Sequence, residues 1–242
     1  MRVAVVSDIH ANLHALEAVL AEIEREQPDE LWCLGDLVGY GPKPNECCRL
    51  VREHATLSLC GNHDLGVLGV IDLADFAGDA GVAARWTRTV LGADERAWLE
   101  TLAPSAVRDG VELFHASPRD PIWEYVLSDH IAQLGLQATA APLVLVGHSH
   151  IPLSIAWDET TLSGGVAAGG TEVALAGARR LLNPGSVGQP RDRDPRAAWL
   201  LLDLELHAAD FRRSEYDIER TQTEIREAGL PERLASRLST GI

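Results

Sequence analysis

The run Leu57-Ser58-Leu59-Cys60 leads straight into Gly61-Asn62-His63-Asp64, and a glycine-bearing segment follows. Asn62 offers a neutral amide oxygen suited to a metal. His63 offers a ring that titrates near neutral pH and can give or take a proton. Taken alone, the tetrapeptide also reads as a surface turn. What decides between the readings is whether other strand-like runs end in the same chemistry.

Four more do. Arg2-Val3-Ala4-Val5-Val6 reads as a buried central strand and ends in Ser7-Asp8-Ile9-His10. In extended chain Asp8 and His10 project to one side and can grip one ion. Leu31 to Leu34 runs into Gly35-Asp36, Val111 to Phe114 ends on His115, and Leu143 to Val146 ends on Gly147-His148-Ser149-His150. Open α/β sheets place their ligands at the carboxyl ends of strands, where all these residues fall.

Between the runs the pattern is helical. Asn12 is a suitable N-cap for a stripe of Leu13, Leu16, Val19, Leu20 and Ile23 that closes before Pro28. A Gly- and Pro-rich loop from Gly39 to Pro44 precedes a helix from about Asn45 to Glu53. Residues 64–102 read as a helical cap or flank, with Ala80 to Leu91 and Asp94 to Leu102 as its helices. Beyond His150 the texture turns to short strands: Ser154 to Trp157, Thr171 to Ala176, Arg179 to Leu182 and Ala198 to Leu204. These predict a second, mostly antiparallel sheet packed on the first, with Ser163 to Gly170 as a mobile hairpin loop. Residues 217–242 read as helical, capped by Asp217, stopped at Gly229 and restarted at Pro231.

With 242 residues, one metallo-site domain spanning 1–242 is the simplest organisation. The 36 acidic residues exceed the 21 basic ones, for a formal charge of −15, which disfavours stable nucleic-acid binding. Cys33, Cys47, Cys48 and Cys60 form no paired CxxC pattern and read as reduced, buried residues of a cytoplasmic protein. No signal peptide and no membrane-length apolar run is expected. The composition leaves the oligomeric state open.

Asp8, His10, Asp36, Asn62, His115, His148 and His150 form an oxygen and nitrogen set without thiolate. It suits Mn²⁺ best, with Fe, Zn²⁺ or Ni²⁺ as alternatives. Seven groups exceed what one catalytic ion needs, and they divide over two ions if one carboxylate bridges. Paired ions of this kind serve attack at phosphorus.

In this order and spacing, Asp8-x-His10, Gly35-Asp36, Gly61-Asn62-His63-Asp64, His115 and Gly147-His148-x-His150 resemble the calcineurin-like metallophosphoesterase superfamily. The segments SDIHANLHAL (7–16), GDLVGYGPKPNE (35–46), HASPRDPIWEY (115–125) and NPGSVGQPRDRDPRA (183–197) resemble its small single-domain bacterial and archaeal branch. The resemblance implies a two-sheet α/β sandwich with flanking helices. It further implies that Asp8, His10 and His150 hold one ion, that Asn62, His115 and His148 hold the other, and that Asp36 bridges them. It implies hydrolysis of small phosphodiesters or phosphomonoesters by attack of a metal-bound hydroxide on phosphorus. His63 would then protonate the leaving oxygen or stabilise the transition state, with Asp64 orienting it. Ser149 stands where threonine is common and Ala116 where glycine is frequent, and neither touches the ligand set.

Protein phosphatase and dinucleoside polyphosphate hydrolase are the enzymatic alternatives within that resemblance, and a non-catalytic scaffold is the third. Intact ligands and an intact His63 argue against the scaffold. Tyr40 reads equally as a pocket wall and as a turn-packing aromatic. Arg191 and Arg193 could hold phosphate oxygens, but Arg191-Asp192-Arg193-Asp194 alternates in sign and reads better as a self-paired, solvated loop. His14 reads as a packed or exposed histidine one turn past the first motif, Trp123 lies near His115 in sequence, and His54, His130 and His207 carry no signal.

Overall fold

The computed structural model describes residues 1–242. The strands are β1 (Arg2–Val6), β2 (Glu30–Cys33), β3 (Leu57–Ser58), β4 (Ser105–Arg108), β5 (Val111–Phe114) and β6 (Leu143–Leu145), then β7 (Leu153–Trp157), β8 (Leu162–Val166), β9 (Glu172–Ala174), β10 (Arg179–Asn183), β11 (Ala197–Asp203) and β12 (Ala208–Ser214). The helices are α1 (Leu13–Glu26), α2 (Pro44–His54), α3 (Asn62–Leu68), α4 (Asp79–Val90), α5 (Ala93–Leu99), α6 (Asp129–Gln137), α7 (Ile218–Glu227) and α8 (Glu232–Ser236).

Two six-stranded sheets face each other, ordered β3-β2-β1-β11-β12-β9 and β4-β5-β6-β10-β7-β8. Alternation along β1 sorts its side chains between layers. Val3 and Val5 join Trp32, Leu113, Leu145, Leu182, Leu200 and Phe211 in the core between the sheets. Ala4 and Val6 face the other way, onto Leu16 and Val19 of α1 and Cys47, Cys48 and Val51 of α2. The outer face of the second sheet packs Val144, Ile155 and Leu181 against Ala132 and Leu136 of α6. Each large side chain so buried contributes roughly 1.5–3 kcal/mol of transfer free energy. All four cysteines are buried and free. No helix is long and apolar enough to cross a membrane.

The two-sheet sandwich and its flanking helices agree with expectation, but the division of strands differs. β5 and β6 leave the first set to build the second sheet, where β5, β6 and β10 run parallel. In exchange β11 pairs antiparallel with β1, placing Val5 opposite Leu200, and draws β12 and β9 into the first sheet. Each sheet is therefore mixed. The glycine-rich stretch read as a hairpin loop begins as β8, an exposed edge strand registered on β7 from Trp157↔Leu162 to Leu153↔Val166.

The carboxyl ends of β1, β2 and β3 in one sheet and of β5 and β6 in the other meet across the seam. Three loops are stitched there by main-chain bonds. The Asp8, His10 and Ala11 amides donate to the Gly35, Asp36 and Leu37 carbonyls at 3.0, 2.9 and 2.9 Å, and the Val187 and Gly188 amides donate to the Ser7 and Asp8 carbonyls at 3.0 Å each.

Candidate metal centre

The seam gathers all seven candidate ligands. Asp8, His10, Asp36 and His150 each offer an atom within 4.8 Å of the others, and Asp36, His115 and His148 make a second such group. Asp36 belongs to both. Asn62 Oδ1 lies 3.3 Å from His115 Nε2, which brings it into the second group. None of the seven is more than 3 % exposed.

The backbone is bent to achieve this. Asp8, His10, Asp36, His148 and His150 all adopt positive φ, between 49° and 62°. Each such non-glycine residue costs on the order of 1–3 kcal/mol and persists only where its surroundings over-determine it. Gly61 supplies the clearance: a Cβ there would lie 2.0 Å from Asp36 Oδ1 and 2.5 Å from His115 Cε1.

The tautomers follow from the main chain. His10 Nδ1 lies 3.2 Å from the Val38 carbonyl, His150 Nδ1 2.7 Å from the Gln189 carbonyl, and His115 Nδ1 2.9 Å from the Leu34 carbonyl. A carbonyl only accepts, so in each ring Nδ1 carries the hydrogen and Nε2 presents a lone pair. The Nε2 atoms of His10 and His150 then face each other at 3.0 Å with no proton between them. Two lone pairs at that distance repel unless a cation lies beside both, and imidazoles at ~2.0–2.1 Å from one ion readily adopt such a separation. His115 Nε2 likewise points at two acceptors, Asn62 Oδ1 and, at 3.6 Å, Asp36 Oδ2. Asp8 Oδ1, Asp36 Oδ2 and His148 Nε2 are buried without a hydrogen-bond partner. These orphaned donor atoms all converge on the two groups, so the residues fit a pair of divalent ions.

Electrostatics agree. Burial pushes the Asp8 carboxyl up to about 7 and raises Asp36 well above the usual carboxylate range. Burial also lowers His148 to about 2 and depresses His10 and His150. Each group is being driven toward neutrality, as desolvation without a counter-charge requires. A bound dication reverses that for the carboxylates.

His63 lies beside both groups but offers an atom to neither. Its ring is 4.8 Å from His10, 4.4 Å from Tyr40 and 5.1 Å from Phe76, centroid to centroid. Its Nδ1 is buried and unpartnered. Asp64 makes no hydrogen bond to it. The Asp64 carboxylate instead accepts from the amides of Leu37 and Val38 at 3.0 Å each and Gly61 at 2.9 Å. Its hold on His63 is indirect, through the loop that carries Gly39. A Cβ at Gly39 would lie 2.5 Å from His63 Nδ1.

The turn at Asn183 does more than reverse the chain. Asn183 Nδ2 donates to the Gly147 carbonyl at 2.7 Å and to Ser149 Oγ at 3.0 Å, propping the loop of His148 and His150. Ser186 Oγ donates to the Asp8 carbonyl at 2.7 Å.

Arg191 departs from the self-paired loop expected of its sequence. Asp192 pairs instead with Arg213 of β12, and Asp194 with Arg196. Arg191 has no carboxylate partner; its Nη2 contacts Tyr40 Oη at 3.4 Å and Gln189 Oε1 at 3.0 Å. Burial first, and its charge in addition, depress His10, His63 and His150. Arg193 is exposed. Tyr40 does both things considered for it, packing in the turn and walling the site against His10 at 4.5 Å. His14 sits 3.1 Å from Glu224 of α7, away from the ligands. Trp123 packs on Phe76 at 5.5 Å. Tyr125, unremarked in sequence, stacks on His148 at 3.9 Å and remains 43 % exposed. No spacing flags it, because it arrives on an irregular loop.

Comparison with known proteins places this geometry in a family. Residues 1–206 match the model of the calcineurin-like phosphoesterase superfamily domain. A metallophosphoesterase from Sphaerobacter thermophilus superposes with a TM-score of 0.91 at 43 % identity, covering 100 % of this chain and 99 % of its own. An uncharacterized protein of Methanocaldococcus jannaschii is 37 % identical over 246 residues, which take in 99 % of this chain and 98 % of that protein. The symmetrical bis(5'-nucleosyl)-tetraphosphatase of Aliivibrio fischeri is 41 % identical over only 68 residues, 27 % of this chain and 25 % of that enzyme. The chain belongs to the calcineurin-like phosphoesterase superfamily, a family of phosphate-ester hydrolases.

Proposed function

We propose that the chain hydrolyses small phosphodiesters or phosphomonoesters at a centre of two divalent ions. Asp8, His10 and His150 would hold one ion, Asn62, His115 and His148 the other, and Asp36 would serve both. The observation that carries this is Asp36 Oδ2, buried without a partner and 3.5 Å and 3.6 Å from the Nε2 atoms of His10 and His115, one from each group. The mixed oxygen and nitrogen donors favour Mn²⁺. Buried free thiols support a cytoplasmic setting.

Bound there, paired ions supply Lewis-acid charge to phosphoryl oxygens and a more acidic water. The protein's own residues do the rest. The backbone carbonyls of Val38, Gln189 and Leu34 hold three imidazoles in the tautomer that presents Nε2. Arg191, which has no carboxylate partner and reaches Tyr40 beside His10, holds a phosphoryl oxygen. His63, wedged by Tyr40, Phe76 and Gly39, delivers a proton to the leaving oxygen. Asp64 fixes the loop against which that ring rests.

All 242 residues act as one unit in this reading. Residues 64–102 and 217–242 flank it, and Thr221 of α7 reaches Asn12 Oδ1 at 3.2 Å. Dinucleoside polyphosphates are a second substrate class, favoured by the partial likeness to the tetraphosphatases. A panel of phosphate esters assayed with each of several divalent metals tests the proposal. Metal-dependent turnover is expected; no hydrolysis of any ester with any metal overturns it.

A further inference from the structure

A cavity of about 250 Å³ opens beside the metal centre, lined by Tyr40, Ala77, Asp79, Arg233, Leu234 and Arg237 among others. The ring of Tyr40, which lines it, packs on His10 and His63 at 4.5 and 4.4 Å. The protein carries a formal charge of −15, so cations gathered without acidic partners are out of character for its surface. Yet Arg233 and Arg237 both line this cavity, and Arg191 lies against its Tyr40 wall. Neither Arg191 nor Arg233 has a carboxylate within 4.0 Å, and Arg237 meets only the terminal oxygen of Ile242.

The three lie near enough to feel one another. Arg237 is half-buried, and its guanidinium is held below the usual arginine range by burial first and then by the charges of Arg191 and Arg233. Its Nε donates to the terminal oxygen of Ile242, which fixes the side chain and leaves the two Nη groups to face the cavity. Arg191 spans the gap, with its guanidinium carbon 5.9 Å from the Tyr40 ring centre and Nη2 at Tyr40 Oη. The first turn of α4, which Gly78 leaves without a side-chain cap, opens on the same cavity. Asp79 is the one acid in its lining, and its charge offsets part of the effect of the neighbouring arginines on Arg237.

We propose that Arg233 and Arg237 form a second anion subsite, linked to the metal centre by Arg191 over Tyr40, which takes the distal phosphates of a substrate with several phosphates in a chain. The subsite deepens, and rests on, the phosphoesterase reading above. A substrate with one phosphate fills the metal centre alone. A polyphosphate ester reaches past Tyr40 and adds charge-assisted bonds to guanidinium groups, the side chain best shaped for phosphate. The selectivity is thus set by the C-terminal helices, which bring Arg233 and Arg237 onto a site built by the first part of the chain.

Two measurements test this. Inorganic tripolyphosphate and orthophosphate are titrated calorimetrically into chelator-treated protein, so that the subsite is read without metals. In parallel, kcat/KM of the metal-loaded enzyme is compared between a dinucleoside tetraphosphate and bis(p-nitrophenyl) phosphate. Arg233→Ala with Arg237→Ala should weaken tripolyphosphate binding and lower the ratio of the two kcat/KM values, each by about tenfold or more. Arg233→Ala alone, at an exposed position, should do part of this in a fully folded protein. Lysine at both positions should restore part of the loss. Tripolyphosphate binding no tighter than orthophosphate, or a ratio unmoved in the double variant, overturns the proposal. If tripolyphosphate binds through the arginines but no ester is ever turned over, the subsite stands and the hydrolase reading fails.

Discussion

Replacing Gly39 by alanine isolates what His63 does. The perturbation has two parts. Gly39 adopts φ +86°, where a side chain costs about 1–2 kcal/mol. Its new methyl would also lie 2.5 Å from His63 Nδ1, 3.1 Å from Cγ and 3.2 Å from Cβ. The ring cannot simply retreat, since Tyr40 and Phe76 pack beside it at 4.4 and 5.1 Å. It must tilt. A displacement on the order of 1 Å can cost 10²-fold in rate, and full loss of a general acid ~10²–10⁴-fold. For Gly39→Ala we expect kcat on alkyl phosphate esters to fall about 10²-fold. Nitrophenyl esters, whose leaving group needs little protonation, should suffer much less. The backbone strain alone should lower the melting temperature by about 2–8 °C at this size. Metal content should hold, because His63 offers no atom to either ligand group. The assay is steady-state kinetics with both ester classes, alongside elemental analysis and a thermal melt. Unchanged kcat for alkyl esters at full metal content would refute the reasoning, and loss of metal would make His63 a ligand.

Other outcomes follow from the same geometry. His63→Ala should cut kcat on poor leaving groups by ~10²–10⁴-fold with metal content unchanged, read by the same kinetics. Asp36→Asn should lower occupancy of both ions, since its free Oδ2 serves both groups; two full equivalents by elemental analysis would contradict the shared role. Chelation should abolish turnover while circular dichroism stays native, because three apolar clusters between the sheets and beneath the helices hold the fold. Arg213→Ala should destabilise the fold by about 3–5 kcal/mol in denaturant titration, since Asp192, with a side chain only 8 % exposed, would lose its buried partner.

The ligand set was legible because its chemistry sits at fixed offsets from strand ends. β1, β2, β5 and β6 each announce themselves by apolar runs, and Asp8, His10, Asp36, His115, His148 and His150 follow within a few residues. Periodicity tells which face of a strand is buried, not which neighbour it pairs with. That is why the exchange of β11 for β5 and β6 between sheets escaped detection. β4 carried a readable sign in Asp109-Gly110, both at positive φ in the hairpin to β5. Asp64 was legible as part of its motif, but its actual partners were not, since they are backbone amides that any sequence supplies. Arg191 was misjudged because its acidic neighbour found Arg213, 21 residues from Asp192, a choice that local charge alternation cannot reveal.

The pairing of β1 with β11 also governs when the site can come into being. Val5 meets Leu200 across nearly the whole chain, and closing such a loop costs about 2–3 kcal/mol more than closing a ten-residue hairpin. At ~5–20 residues per second of synthesis, the strand leading to Asp8 waits roughly 10–40 s for its partner to be made. Throughout that interval one edge of β1 has bare amides and carbonyls, open to any passing strand. Folding dominated by such distant contacts is slow. A nascent chain halted after His150 would hold every candidate ligand, yet it would lack the strands β10 and β11 that seat them.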